Sequence, residues 1–534
     1  MSAPVRSTDS LVPKTLSVFR EGYSLDRLKR DAVSGLTVAM VAIPLSMAIA
    51  KASGASPDRG LITAIIGGFL ISLLGGSRFQ IGGPAGAFIV VVASIIERQG
   101  FDGLLIATIM AGLAMIAFGA LRLGSYIRYI PHPVLVGFTA GIATIIFSSQ
   151  IVDLFGLTLA GREPAALIPK LNAIGHAFGT ISPAAILVSL FSMAVILVLR
   201  KTKPHWPGFL IAIGLASLLT FIIAPFGLSV ETIGTRFGGI PNTLPMPNLP
   251  TISMDRLVSL VPDAVTIAFL GAIESLLSAV VADGMTGRRH RSNMELIAQG
   301  VANLGTALFG GICATGTIAR TATNVRAGGT SPVAGMIHSL VLLLLILFAA
   351  PLASYIPLAS LGAILAIVSW NMAERDEFIS ILKRSWPDAL ILLATFLLTI
   401  FRDLTEGIAV GVVLSAFIFM HRVAQTARVE EAEEENDKVI DPHTMTYRME
   451  GPLFFGVASE ISEVLDHIGE HPKRFILDCR AIPFLDLSGA HSLKAMIDRF
   501  HKGGTEVIFK NANGQVTASL QRYGVLDHGA RIEV

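Results

Sequence analysis

The stretch "LFGGICATGTIARTATNVRAGG", Leu308 to Gly329, decides how this chain is read. Long apolar runs lie on both sides of it, yet here the sequence turns to glycines, threonines and two arginines, and Arg320 stands between apolar segments. A charge at the bilayer centre costs at least about 2.5 kcal/mol and must face a cavity or a partner. Non-helical backbone at that depth is tolerated only where protein or a water-filled cavity receives its polar groups. A second interruption, "GGSRFQIGGPAGAF" from Gly75 to Phe88, precedes another short segment, Gly83 to Glu97. The segments Gly83–Glu97 and Gly316–Ala327 each occupy third place in their half of the chain. Short, glycine-opened segments at matching positions in two halves are the mark of an inverted-repeat transporter with discontinuous helices.

The bulk composition agrees. The chain has 534 residues, 52% hydrophobic and 15% charged, against roughly 25% charged in ordinary soluble domains. A helix crosses the hydrocarbon core with about 20 apolar residues. Such runs stand near 32–50, 60–75, 103–121, 133–152, 182–199 and 208–224. After the polar stretch "RFGGIPNTLPMPNLP" they resume near 263–283, 294–310, 332–350, 356–373, 387–401 and 404–420. With the two short segments, the expectation is an α-helical polytopic membrane protein of about fourteen segments in a 7+7 inverted repeat, with half-helices at segments 3 and 10.

Cytoplasmic loops are richer in Lys and Arg. Arg27, Lys29 and Arg30, then Arg78, Arg122 and Arg128, Arg200, Lys201 and Lys203, Arg288, Arg289 and Arg291, and Lys383 and Arg384 place the N-terminus and the even-numbered loops inside. Both termini are therefore expected in the cytoplasm of a protein of the cytoplasmic (inner) membrane. The polar N-terminus lacks the apolar core and cleavage site of a signal peptide. The chain divides into a cytoplasmic segment 1–29, a transmembrane domain 30–423, an acidic linker 424–438 containing "VEEAEEENDK", and a soluble domain 439–534. In that last domain "HTMTYRMEGPLFF", "RFILDCR" and "GTEVIFK" read as strands, while "ASEISEVLDHI" and "GAHSLKAMIDRF" have helical spacing. An α/β layer fold is expected.

Two half-helices whose N-termini meet at mid-membrane direct free N–H groups and positive dipole ends at an anion, worth about 0.3–1 kcal/mol each and up to about 2 when partly buried. "GGPAGAF" and "ATGTIAR" are those termini, Thr315 or Thr317 adding a hydroxyl; the competing reading is that their glycines serve close helix packing. Arg320 is either a fixed counter-charge or a structural partner of Glu274 or a carbonyl. Glu274, in "GAIESLLSAVVADG", takes up a proton with each anion, coordinates sodium, or pairs with Arg320. Catalytic and phosphate-loop motifs are absent, metal spacings are absent, and no enzyme, cofactor, metal or nucleic-acid partner is expected. Cys313 and Cys479 read as free thiols.

The segments "GLTVAMVAIPLSMAIA", "QIGGPAGAF", "GAIESLLSAVVADGMTGRRHRSNMELIAQGVANLGTALFGGI" and "TGTIARTATNVRAGGTSP" resemble the sulfate permease (SulP) family of anion carriers. "FILDCRAIPFLDLSGAHSL" is similar to the STAS domain that ends most members. From Ile273 to Trp370 the likeness is to the DauA type, carriers of C4-dicarboxylates. The resemblance implies a UraA-like fold of two intertwined seven-segment repeats, a commonly dimeric assembly and an elevator-like import of a small anion, sulfate or a dicarboxylate such as succinate or fumarate, by proton symport. Sodium-coupled bicarbonate uptake, or a passive anion channel or sensor signalling through the STAS domain to a cytosolic partner, are the alternatives. By position, the resemblance assigns Leu45, Ile49, Ala85, Gly86, Ala87, Gly316, Thr317, Ile318, Ala319 and Arg320 to the substrate, and Glu274 and Ser278 to the coupling ion. Bicarbonate members hold sodium with Asp and Thr where Glu274 and Ser278 stand, and have Thr where Ile318 stands; the departure favours a proton. Ser488 in "LDLSGA" matches a loop serine phosphorylated in anti-sigma-factor antagonists, with a plain helix N-cap as its other reading.

Overall fold

The computed structural model describes residues 11–127, 131–161, 163–164, 166–203, 206–402, 404–431, 443–455 and 472–533. Among these, nine helices are long and apolar enough to cross a membrane, not the fourteen expected: Leu25–Ala52, Pro57–Leu74, Gly86–Ala120, His132–Phe155, Pro183–Thr202, Gly208–Phe226, Met254–Thr286, Val333–Ala353 and Glu406–Ala424. The difference has physical causes. The expected segments 83–97 and 103–121 run together as one 35-residue stretch, bent at Gly100, whose φ of 72° only glycine takes readily. Four further helices are shorter: Ser292–Leu308, Ile318–Arg326, Leu358–Met372 and Trp386–Phe401.

The chain forms two compact units, Met1–Gly411 and Val412–Val534, the division falling inside the helix Leu404–Ala424. In the first unit, the helices Ile89–Ala120 and Ser292–Leu308 meet backbone to backbone. A Cβ on Gly112 would stand 2.8 Å from the Gly300 carbonyl oxygen, and one on Gly300 would stand 2.4 Å from that of Gly112. Two facing glycines let the axes approach as small residues do in membranes. Elsewhere in this unit a buried ion pair joins Lys51 to Asp153.

The second unit holds a five-stranded sheet in the order Arg428–Glu431, Thr444–Glu450, Arg474–Ala481, Glu506–Lys510 and Arg531–Glu533. The first pair is antiparallel and the others are parallel. Residues 428–431, read from sequence as the start of an acidic linker, instead pair along the edge of Thr444–Glu450, where they satisfy an otherwise open strand edge. The expected helix "ASEISEVLDHI" lies outside the described residues. The helix Leu487–Lys502 is capped by Asp486, whose Oδ1 accepts from Gly489 N at 2.8 Å. This corrects the N-cap reading of Ser488, which sits inside the first turn. Both cysteines are free and buried, and burial pushes the Cys479 thiol up to about 12.

Candidate functional site

The two interruptions meet. Gly82–Gly83 and Thr315–Gly316 form a two-residue antiparallel pair, Gly82 opposite Gly316 and Gly83 opposite Thr315. Beyond the first strand the chain passes Pro84 and extended Ala85 into a 3₁₀ turn, Gly86–Phe88, and then the long helix from Ile89. Beyond the second, extended Thr317 opens the nine-residue helix Ile318–Arg326. The first amides of a helix have no intrahelical acceptor. Among the described residues the N–H groups of Gly86, Ala87, Ile318 and Ala319 likewise donate to no other protein group. Thr317 donates both its amide, at 2.9 Å, and its hydroxyl, at 3.1 Å, to the Ile81 carbonyl.

Arg320 is fully buried. Its Nη2 donates to Ser46 Oγ at 3.0 Å and to the Pro84 carbonyl at 3.4 Å, while Nε and Nη1 find no acceptor. The guanidinium lies so close to Gly83 that a Cβ there would come within 2.2 Å of Nη1. No ion pair joins Arg320 to Glu274 among the described residues; of the structural readings, the carbonyl contact is the one present. Buried Glu274 makes no hydrogen bond or ion pair there. Its neighbour Ser275 accepts from Gln80 Nε2 at 2.9 Å, and Ser278 donates to Thr321 Oγ1 at 2.9 Å. Thr315 Oγ1 reaches the Gly271 carbonyl at 3.0 Å, so this stretch of Met254–Thr286 lies along the second strand.

The other residues expected at a substrate site divide by exposure. Leu45, Ile49, Ala85 and Ala87 belong to one apolar cluster with Ile142, Ile146 and Leu361. Gly86 is half-buried and faces Ile146. Ile318 is 38% exposed, and Ala319 is exposed beside it. The start of the short helix is therefore exposed at Ile318 and Ala319 and has the buried Arg320 next to them.

A set of polar residues that sequence reading passed over supplies partners to the broken backbone. Glu295, Gln299 and Asn303, four apart on one helix face, are all buried. Glu295 Oε2 accepts from Gly76 N at 2.8 Å and Ser77 N at 3.0 Å, and Oε1 accepts from Gln299 at 3.0 Å. Asn303 both donates to the Ala314 carbonyl, at 2.8 Å, and accepts from the Ala314 amide, at 2.9 Å. Thr63 Oγ1 accepts from Ile312 N at 2.8 Å, and Thr321 Oγ1 accepts from Ile81 N at 3.1 Å. The i, i+4 spacing of three polar residues in "MELIAQGVANLG" was the available signal.

A bundle of apolar, membrane-length helices with two broken segments meeting inside it makes this a polytopic membrane protein. The same fold is found in murine Solute Carrier 26 family member A9, an anion transporter solved in the inward-facing state: TM-score 0.86, 19% identity, 99% of this chain and 94% of that one covered. The transmembrane domain of a cyanobacterial bicarbonate transporter, BicA, superposes with TM-score 0.65 at 34% identity, over 72% of this chain and 98% of that one. The Sulfate permease family profile matches residues 28–395 and the STAS domain profile residues 435–532. The chain belongs to the Sulfate permease family, whose members are transporters and not enzymes. YvdB of Bacillus subtilis, which carries a provisional sulfate-transporter name, is 41% identical over 95% of both chains. The bicarbonate transporter BicA of a Synechocystis strain is 31% identical over 93% of this chain and 91% of its own. These sulfate and bicarbonate names correct the expected likeness to the DauA type.

Proposed function

We propose that the protein is a secondary active carrier that imports a small oxyanion, sulfate or bicarbonate, across the cytoplasmic membrane, with both termini on the cytoplasmic side. One observation carries this reading: two helix beginnings are clamped side by side, with unpaired amides and a buried guanidinium that has no carboxylate partner. Such donors favour an anion and give a cation nothing to bind. The anion is taken to rest against Gly86, Ala87, Ile318 and Ala319, with Leu45, Ile49, Ala85, Gly316 and Thr317 shaping the seat and Arg320 supplying charge from behind. The two breaks act as the half-helices of segments 3 and 10, and the seat travels with its supporting helices in an elevator-like stroke. Sulfate and bicarbonate are preferred to C4-dicarboxylates because the relatives above carry those names.

Glu274 is the coupling group in this reading, and the ion is a proton. A carboxylate lacking any ion-pair partner, beside a Ser278 hydroxyl already directed to Thr321, suits protonation better than a sodium shell, which needs several oxygens. The transport part extends over 30–423 and the STAS part over 439–534, a dimer is the working assembly, and Ser488 is a phosphorylation site through which a cytosolic partner acts on the STAS part.

The test is uptake of labelled sulfate and bicarbonate into proteoliposomes, with succinate as competitor, with and without an inward proton gradient and with and without sodium. Gradient-driven accumulation is expected in wild type. Glu274→Gln is expected to abolish accumulation while leaving anion binding measurable. Accumulation driven by sodium alone would transfer the coupling to sodium, and uptake indifferent to both gradients would make the protein a passive conductor.

A further inference from the structure

A second surface of the first unit combines charge and exposed aromatic area in a way that the seat does not use. The helix Pro183–Thr202 ends on exposed Leu197 and Val198 followed by Arg200, Lys201 and Lys203. Arg200 Nη1 donates to Asn371 Oδ1 at 3.1 Å, which fixes that helix end beside the end of Leu358–Met372. There Arg375 covers the Trp370 ring, its Cζ 4.1 Å from the centroid. Glu374, at φ 41°, then turns the chain into the helix Arg375–Arg384, which has no buried residue.

One aromatic contact anchors that helix while its apolar residues stay exposed. Phe378 packs on Phe396, ring centroids 5.2 Å apart, and so holds the helix to the bundle. Arg375, Ile379 and Leu382 follow one another at helical spacing alongside Phe378, and Trp386 opens the next helix after extended Ser385. Ile379 is 48% exposed, Leu382 38%, Trp386 76% and Trp370 55%. Asp376 and Glu377 lie in the first turn, Glu377 within 4.0 Å of His132 Nδ1, and Lys383 and Arg384 lie in the last. With Arg200, Lys201 and Lys203, basic groups outnumber acidic ones at this corner. Tryptophan is the residue of the membrane interface, and amphipathic helices with basic polar faces lie in its plane.

We propose that this corner is a docking surface for anionic phospholipid in the leaflet bordering the basic helix ends. Leu382, Ile379 and the two tryptophans enter the acyl boundary, and Arg375 and Arg200 hold the headgroup phosphate. The occupant is lipid and not a second protein surface, because the stripe continues directly into apolar helices at both ends and the local charge complements an anionic leaflet. The arrangement is independent of which solute the carrier moves.

The chain contains three tryptophans, Trp206, Trp370 and Trp386. Full-length Trp206→Phe protein in phosphatidylcholine nanodiscs therefore reports this corner through the remaining two. Brominated phosphatidylglycerol is expected to quench their fluorescence more strongly than brominated phosphatidylcholine at equal mole fraction. The preference should fall about fivefold for each basic contact removed, in Arg200→Gln or Arg375→Gln. Taking the ratio of the two lipids within one variant cancels any change in baseline from losing the arginine on Trp370. Lys383→Gln, which spares both contacts, provides a second folded comparison and should weaken the preference less. Equal quenching by the two lipids would overturn the anionic site and leave plain lipid contact; quenching by neither would show the stripe covered by protein.

Discussion

The two interruptions of the bundle are alike in backbone and unlike in charge. Each halts a polar, glycine-rich stretch in a two-residue strand and opens a helix, and each is sustained by side chains from the opposite half of the chain. Gly76 and Ser77 are held by Glu295, and Ile81 by Thr321, whereas Ile312 is held by Thr63. Yet Arg78 of the first pairs with Glu21, whereas Arg320 of the second has no carboxylate partner among the described residues, and its helix ends after nine residues while the first runs on from Ile89 to Ala120. The first break contributes a carbonyl, Pro84, and a side-chain-free Gly83 that makes room for the guanidinium. The two breaks thus supply a paired scaffold, and one arginine without a carboxylate partner gives it a sign.

The largest effect expected is on that asymmetry. Arg320→Gln should reduce uptake to background while the protein still folds, because it removes a fully buried charge that no carboxylate neutralises among the described residues. Ser46→Ala should reduce uptake far less. Equal uptake by Arg320→Gln and wild type, measured in the same proteoliposomes, would show that the amides suffice.

Next come paired tests of the scaffold. Asn303→Leu strips both partners from Ala314, and Glu295→Leu strips those of Gly76 and Ser77; each orphaned buried group costs about 1–3 kcal/mol. Thermal unfolding in detergent should show comparable losses, and a loss at one break only would mean that the two are not equivalent supports. A Cβ on Gly316 would stand 1.5 Å from Gln80 Nε2. Gly316→Ala should therefore destabilise by about 1–3 kcal/mol as overpacking does, and Gln80→Ala in the same chain should restore most of it. The smallest effect lies in the second unit, where Asp486→Ala should cost about 1 kcal/mol through the lost cap. Ser488→Ala, with no cap to lose, should leave the unfolding midpoint in place.

Much of this was legible before any coordinates. Gly82–Gly83 and Thr315–Gly316 could be found because a membrane chain does not spend glycine and threonine at apolar depth without a use for free backbone. The segment count was less legible: hydropathy sees a dip at "ERQGFDG", whereas the helix bends at Gly100 and continues. Asp486 was passed over as a cap because both Asp and Ser suit that position, and only φ and ψ tell which residue stands half outside the helix. Glu295 and Asn303 were missed for a different reason. The i, i+4 spacing marks a polar helix face, but nothing local tells which peptide groups it serves: Gly76 and Ser77 lie far off in sequence and Ala314 in the following loop. For Arg320 the sequence left a partner in Glu274 open, and the structure separates the two.

The glycine seam between Ile89–Ala120 and Ser292–Leu308 bears on mechanics. Where Gly112 and Gly300 meet, main chain touches main chain, so shear at that point meets hard repulsion rather than a side chain that can repack. Each of the two is joined to a different break, one by continuing from it and the other through Asn303. The seam thus couples the two breaks mechanically, which is what the proposed elevator-like stroke would require of them.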